Sequence, residues 1–327
     1  MIETNNLQGP SASKAAAVTE GLERLLGRLA ATGELSVAEE VVITHEGLTR
    51  AQCERVESAA GRPLTMLEVP AGTGYYEAKN KGFAATTAKY VAFADSDCWP
   101  VEGWLQALFQ PLLNGDAGVS AGRTCYRSDE LGIAATTIDF MYFDSPLGAH
   151  CTRNFYANNV AFERKLFEQV QYQTSRTFYR GDCQVMGLVL QRMGIEVRFV
   201  PEARTTHRFP DSQKELVELR LRRGADATVL SKHLFATYVP ALKPLTRFRR
   251  LSGALALGAR WVFSVRSVNH QQMPEVHGLK RAKVVGWLTA ISALDLAGAL
   301  IARPGDGEAL SYHHDVDGLG ESTRQAA

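Results

Sequence analysis

Asp95-Ser96-Asp97 closes an apolar, β-prone run, Tyr90-Val91-Ala92-Phe93-Ala94. Side chains alternate along an extended chain, so Asp95 and Asp97 are expected on one side. Two carboxylates held together repel unless a cation lies between them. Oxygen ligands of this kind suit Mg²⁺ or Mn²⁺, hard cations that also take diphosphate oxygens. Such a cation would neutralise charge building up on a nucleoside-diphosphate leaving group. A solvated acidic turn after a buried strand has the same letters, and the triplet alone leaves both readings open. Asp182 heads a helix-like stretch, where Asp is also a good N-cap. His207 follows a strand-like run. Neutral imidazole is an acceptable ligand for Mn²⁺, although a lone histidine is more often structural.

The elements that must position these groups alternate between strand and helix. Residues 14–31 carry Leu22, Leu25, Leu26 and Leu29 on one helical stripe, with Gly33 as the stop. Val41–Thr44 reads as a buried strand with His45-Glu46-Gly47 as its loop, 49–60 as a helix and Leu64–Val69 as a second strand. A loop at Ala71-Gly72-Thr73-Gly74 and a helix near 76–88 lead into the strand that ends at Asp95. This alternation implies a parallel α/β sheet, in which ligands bind outside the carboxyl ends of the strands. Further on, the pattern predicts a helix over Trp99–Leu113 with Pro100 near its start, and a strand over Val119–Tyr126. Residues 129–150 are ambiguous. A strand over Phe155–Phe162, a helix over Arg164–Val170, a helix over Asp182–Met193 stopped by Gly194, a strand over Glu196–Val200 and a charged helix over 211–236 complete the expectation.

Composition narrows the classes. The 327 residues are 45% hydrophobic and 22% charged, with net charge +1, so no global field points to nucleic acid. Five scattered cysteines without a CxxC pair suggest neither a disulfide framework nor a zinc knuckle and fit a reducing compartment. The N-terminal segment lacks the basic-then-apolar pattern of a secretory signal, and no Asn-x-Ser/Thr sequon occurs. Both fit a cytoplasmic protein. Residues 1–12 and the polar tail from Arg303, with His313-His314-Asp315, read as disordered.

Several blocks occur in a telling order: Lys79-Asn80-Lys81-Gly82, Ala84-Ala85, Tyr90–Asp97, Trp99-Pro100 and Gly103-Trp104-Leu105. This order resembles the ARNxG, strand, DxD, P and GWL core of glycosyltransferase family 2, with Val41–Glu46 similar to that family's first strand and uridine-side loop. The resemblance extends to about residue 210. It implies an α/β GT-A fold, Rossmann-like, with a mostly parallel central sheet flanked by helices and here a helical C-terminal extension. Residues 1–35 would form an N-terminal disordered segment and helix, 36–210 the catalytic domain, 211–302 the extension and 303–327 a disordered tail.

The resemblance also assigns roles. Asp97 would coordinate the metal, and Asp95 would contact the nucleotide ribose or the metal. Lys79 would contact nucleotide or diphosphate, with a surface lysine as the plain alternative. Thr44 and Glu46 would line the base pocket, and Glu68 lies near an acidic base-reading position. Asn158 and Asn159, before Val160-Ala161-Phe162-Glu163-Arg164, match a segment near the donor sugar. Tyr179-Arg180-Gly181-Asp182 resembles the GED block, which makes Asp182 the base for the acceptor hydroxyl, with Gly181 in place of the usual Glu. His207 would complete the metal site. The implied reaction is metal-dependent, inverting transfer of a sugar from a nucleotide-diphospho-sugar to a hydroxyl on a saccharide, a lipid-linked or a natural-product acceptor, with Mn²⁺ or Mg²⁺. A retaining outcome, a nucleotidyltransferase and a non-catalytic sugar-nucleotide-binding scaffold are the alternatives. The first strand lacks the Gly-rich basic loop that a nucleotidyltransferase would need.

Near residue 243 the composition shifts to basic-then-apolar segments, Lys243–Val265 and Lys280–Ala302. The second run is about long enough to span a bilayer but contains Asp295; the first is shorter and contains Arg260. These segments could lie on the cytoplasmic membrane face, cover the catalytic domain or form a homodimer interface.

Overall fold

The structure is a computed structural model that describes residues 1–4, 11–174, 181–269 and 275–302. Its elements in chain order are β1 (Ile2–Glu3), α1 (Ser11–Ala31), β2 (Val42–His45), α2 (Arg50–Ala60), β3 (Thr65–Glu68), α3 (Tyr75–Ala84), β4 (Tyr90–Asp95), β5 (Cys98–Pro100), α4 (Trp104–Leu113), β6 (Val119–Cys125), α5 (Glu130–Asp139), β7 (Asn159–Glu163), α6 (Arg164–Val170), α7 (Asp182–Arg192), β8 (Val197–His207), α8 (Gln213–Tyr238), α9 (Arg249–Ser267) and α10 (Gly278–Ile301). The chain divides into two compact units. One holds Met1–Cys125, Asp144–Thr174 and Glu196–Arg208; the other holds Tyr126–Phe143, Ser175–Ile195 and Phe209–Ala327.

The first unit is an open, eight-stranded sheet in the order β3-β2-β1-β4-β7-β6-β8-β5, flanked by helices, in keeping with the GT-A expectation. The sheet is mixed. Strands β3, β2, β1 and β4 are parallel, β7 runs against β4 and β6, and β8 is parallel to β6. Leu22, Leu25, Leu26 and Leu29 of α1 are buried in the main core with Ile43, Val56 and Leu108, as their stripe predicts. A capping box explains where α2 starts: Thr49 caps the Gln52 amide, and Gln52 returns a bond to the Thr49 amide.

Three expectations change. Ile2–Glu3, placed in a disordered segment, is a central strand between β2 and β4. Two residues are too few to show any hydrophobic period, so only long-range pairing reveals this strand. The strand expected to be the family's first, β2, is therefore one place removed from β4. Trp99 and Pro100 do not begin a helix. They belong to β5, which pairs antiparallel with β8, and α4 starts after Gly103. Strand β8 runs on to His207, seven residues past the expected end. The tail residues His313, His314 and Asp315, and Tyr179 and Arg180 of the GED-like block, lie outside the described residues.

The second unit is helical among its described residues, and its core is ionic as well as apolar. Arg220 of α8 is fully buried and binds Asp295 of α10 through both oxygens and Asp139 of α5 through Nη1 at 2.7 Å. Arg260 of α9 also pairs with Asp295, and Arg223 with Asp139. Burial pushes the Asp139 carboxyl up, but Arg220 and Arg223 outweigh it and hold the group below the usual carboxylate range. Helices α8 and α10 meet at glycine: a Cβ on Gly224 would lie 1.9 Å from the Asp295 carbonyl. The two charges that looked out of place in apolar runs, Arg260 and Asp295, are thus each other's partners.

Candidate metal and diphosphate site

The carboxyl ends of the parallel strands form a level row. Thr44 of β2 stands beside Glu3 of β1, and Glu3 beside Asp95 of β4. All three are buried. Residues level on adjacent strands project to one face. On this face α3 covers Thr44, whose Cγ2 lies 3.1 Å from where a Gly82 Cβ would be. From the same helix, Lys79 reaches Asp95.

Asp95 and Lys79 are both fully buried and meet at 2.7 Å, Nζ to Oδ1. Lys79 also donates to the Ala94 carbonyl at 3.1 Å, and its ammonium lies 4.8 Å from the Tyr75 ring centroid. The Tyr75 hydroxyl donates to the Asp95 carboxylate at 2.9 Å. Lys79 is therefore no surface lysine, since it offsets the Asp95 charge. Removing one member of a buried pair leaves the other uncompensated, at a cost of about 3–5 kcal/mol. Lys79→Met is expected to lose that much stability in urea unfolding. An unchanged midpoint would show that Asp95 has a sufficient countercharge elsewhere.

Asp97 lies past the end of β4, in the turn that links it to β5, rather than on an extended strand. The carboxylates nevertheless converge. The Cys98↔His207 register of β5 and β8 brings the imidazole to Asp97, with Nε2 3.6 Å from Oδ1. His207 Nδ1 lies 2.8 Å from the Arg208 carbonyl, an acceptor, so that nitrogen carries the proton. In the neutral ring Nε2 then offers its lone pair towards Asp97. Two electron-rich atoms facing each other need a proton or a cation between them.

Ligand atoms of Asp95, Asp97, Cys98 and His207 all lie within 4.8 Å of one another. Oxygen and imidazole donors fit a divalent cation, and the carbonyl bond that fixes the His207 tautomer is the usual support of a metal-bound histidine. Burial, then the Asp97 and Asp95 carboxylates, raise the Cys98 thiol well above its ordinary pKa, so it stays protonated. Lys79 and Tyr75 engage Asp95, and Asp97 and His207 stand next to it as further donors.

The remaining candidates sit as follows. Glu46 accepts a bond from the Gly72 amide at 3.2 Å, tying together the loops after β2 and β3. His45 is buried, its Nδ1 accepts from the Leu48 amide at 3.3 Å, and burial lowers its pKa, with Glu68 opposing. Asn158 accepts from the Thr124 hydroxyl at 3.0 Å. Asn159 accepts from the Trp104 indole at 2.8 Å and donates to the Ala203 carbonyl at 2.9 Å, joining α4, β7 and β8. Its amide is spent on the scaffold. Asp182 is the first residue of α7, in the second unit, and is buried. The N-cap is Gly181, with φ +131°, so Asp182 is not the cap. A side chain at 181 would be strained, which accounts for glycine where the resemblance expects Glu.

Sequence reasoning missed Glu3, Tyr75 and Cys98. Glu3 had no periodic signal. Tyr75 and Lys79 do stand four residues apart, one helical face, and Cys98 is adjacent to the triplet.

Residues 20–176 match the family model described as Glycosyl transferase family 2. No curated protein matches the chain. Among solved structures, one titled "Crystal Structure of a Mycobacterial Protein" shares 20% identity, over 69% of this chain and 80% of that one, with a TM-score of 0.44. Glucosyl-3-phosphoglycerate synthase from Mycobacterium tuberculosis, in complex with Mn²⁺, UDP-glucose and phosphoglyceric acid, shares 18%, over 71% and 87%, at 0.46. The same enzyme with Mn²⁺, UDP-glucose and glycerol 3-phosphate shares 17%, over 71% and 87%, at 0.45.

Proposed function

We infer, from the match of residues 20–176 to the glycosyl transferase family 2 model, that this chain is a glycosyltransferase that moves a sugar from a nucleoside-diphospho-sugar to a hydroxyl with the help of a divalent cation. The observation that carries this reading is the convergence of Asp97 and His207 beside the Asp95–Lys79 pair. Asp97 and His207 would hold Mn²⁺ or Mg²⁺ next to the buried Asp95–Lys79 pair. A bound cation would supply the positive charge that a departing nucleoside diphosphate requires. Asp95 braces the site, and Glu46 is the donor-side candidate on the base side. Asp182 takes the acceptor proton, with inversion at the anomeric carbon. All five cysteines are free, which supports a reducing, cytoplasmic setting.

Thermal unfolding with a panel of nucleoside-diphospho-sugars, with and without Mn²⁺, tests this reading. A ligand at 100 times its Kd stabilises by about 2.7 kcal/mol. The expected result is a Tm rise of several degrees for one donor that needs the cation. An equal rise without Mn²⁺ would sink the metal dependence, and no rise with any donor would sink the donor class.

A further inference from the structure

We propose that α9 and α10 form a peripheral docking surface for an anionic lipid bilayer. Single exposed apolar side chains need no explanation, but a concentration of them does. Leu251, Leu255, Trp261 and Phe263 of α9 and Leu279 and Trp287 of α10 are all exposed, Leu279 at 75%. The Trp261 indole donates to the Thr289 hydroxyl at 3.2 Å, which joins α9 to α10 at an exposed position. The charge there is predominantly basic. Residues 239–302 hold nine Lys and Arg against Glu275 and Asp295, and Asp295 is buried under Arg220 and Arg260. The whole chain nets +1, so the rest of it is net acidic. Lys280 and Arg281 are exposed next to Leu279, at the start of α10.

This combination selects the occupant. A second copy would set the same positive patch against itself across a two-fold axis. An anionic bilayer offers opposite charge to the basic residues, an apolar layer to the leucines and Phe263, and an interface to the two tryptophans. Helix α10 is long and apolar enough to cross a membrane by length and composition alone. Its buried stripe of Val284, Leu288, Ile291 and Asp295 belongs to the unit's interior, however, and crossing would strip both arginines from Asp295. The surface therefore lies on the bilayer and does not span it.

Co-sedimentation of the full chain with vesicles tests the proposal without reference to activity. Vesicles of phosphatidylcholine with phosphatidylglycerol are expected to bind the protein, and phosphatidylcholine alone to bind it weakly. Each basic residue near an anionic surface contributes about five-fold, so Lys280→Glu with Arg281→Glu should weaken binding about 25-fold or more. Leu279→Ser with Trp287→Ser should abolish it, and all four positions are exposed, so the melting temperature should hold. Equal binding to both vesicle types, unchanged binding by either double variant, or no vesicle binding would overturn the proposal. A dimer in sedimentation equilibrium that Trp287→Ser dissociates, without vesicle binding, would assign the face to a second copy instead.

Discussion

Asp97→Asn is expected to lower cation-stimulated sugar transfer by about 10³-fold while leaving the fold intact. Asn keeps the size of the side chain and one acceptor oxygen but removes the charge that faces His207 Nε2 at 3.6 Å. A metal ion's stabilisation of leaving-group charge is worth several kcal/mol, and about 4 kcal/mol corresponds to that loss in rate. The stability cost should be smaller than at Asp95, whose carboxylate is half of a fully buried pair with Lys79. Asp95→Asn is the contrast, since it leaves Lys79 buried without its carboxylate and should unfold earlier in urea. The measurement is turnover against Mn²⁺ concentration for both variants, beside their unfolding curves. Asp97→Asn that keeps Mn²⁺-stimulated turnover within a few-fold of the wild type would remove Asp97 from the cation site.

How much of this site was legible follows from where each signal lives. The Tyr90–Asp95 strand and the triplet were legible because an apolar run ending in acid is a local pattern. The pairing of β5 with β8, which carries His207 to Asp97, was not. Trp99-Pro100 reads locally as a helix start, and only partner strand β8 makes it a strand. Strand β1 was hidden for a related reason, since two residues cannot show a period and its position depends on neighbours some 40 and 90 positions away. Lys79 was read for its charge rather than its place. It shares a helical face with Tyr76 and Phe83, three and four positions away, and a lysine on an apolar face should prompt a search for its acid. Arg260 and Asp295 were noticed as misfits in two apolar runs, and each was the other's explanation.

Asp182→Asn is expected to abolish transfer and leave donor binding largely intact, and its size separates chemistry from structure. Asp182 opens α7 behind a glycine cap, where a carboxylate gains about 0.3–1 kcal/mol from the helix N-terminus. Losing that interaction would shift the melting temperature slightly and change rates little. Losing a general base costs about 10²–10⁴-fold in turnover. Asn is nearly isosteric, cannot take up the acceptor's proton, and leaves Gly181 and the helix start unchanged. The expected pattern is a collapse in kcat and a cation-dependent thermal shift with donor close to wild type. Wild-type turnover in Asp182→Asn would sink the assignment. A fall in kcat matched by an equal loss of stability would return Asp182 to a purely structural place at the head of α7.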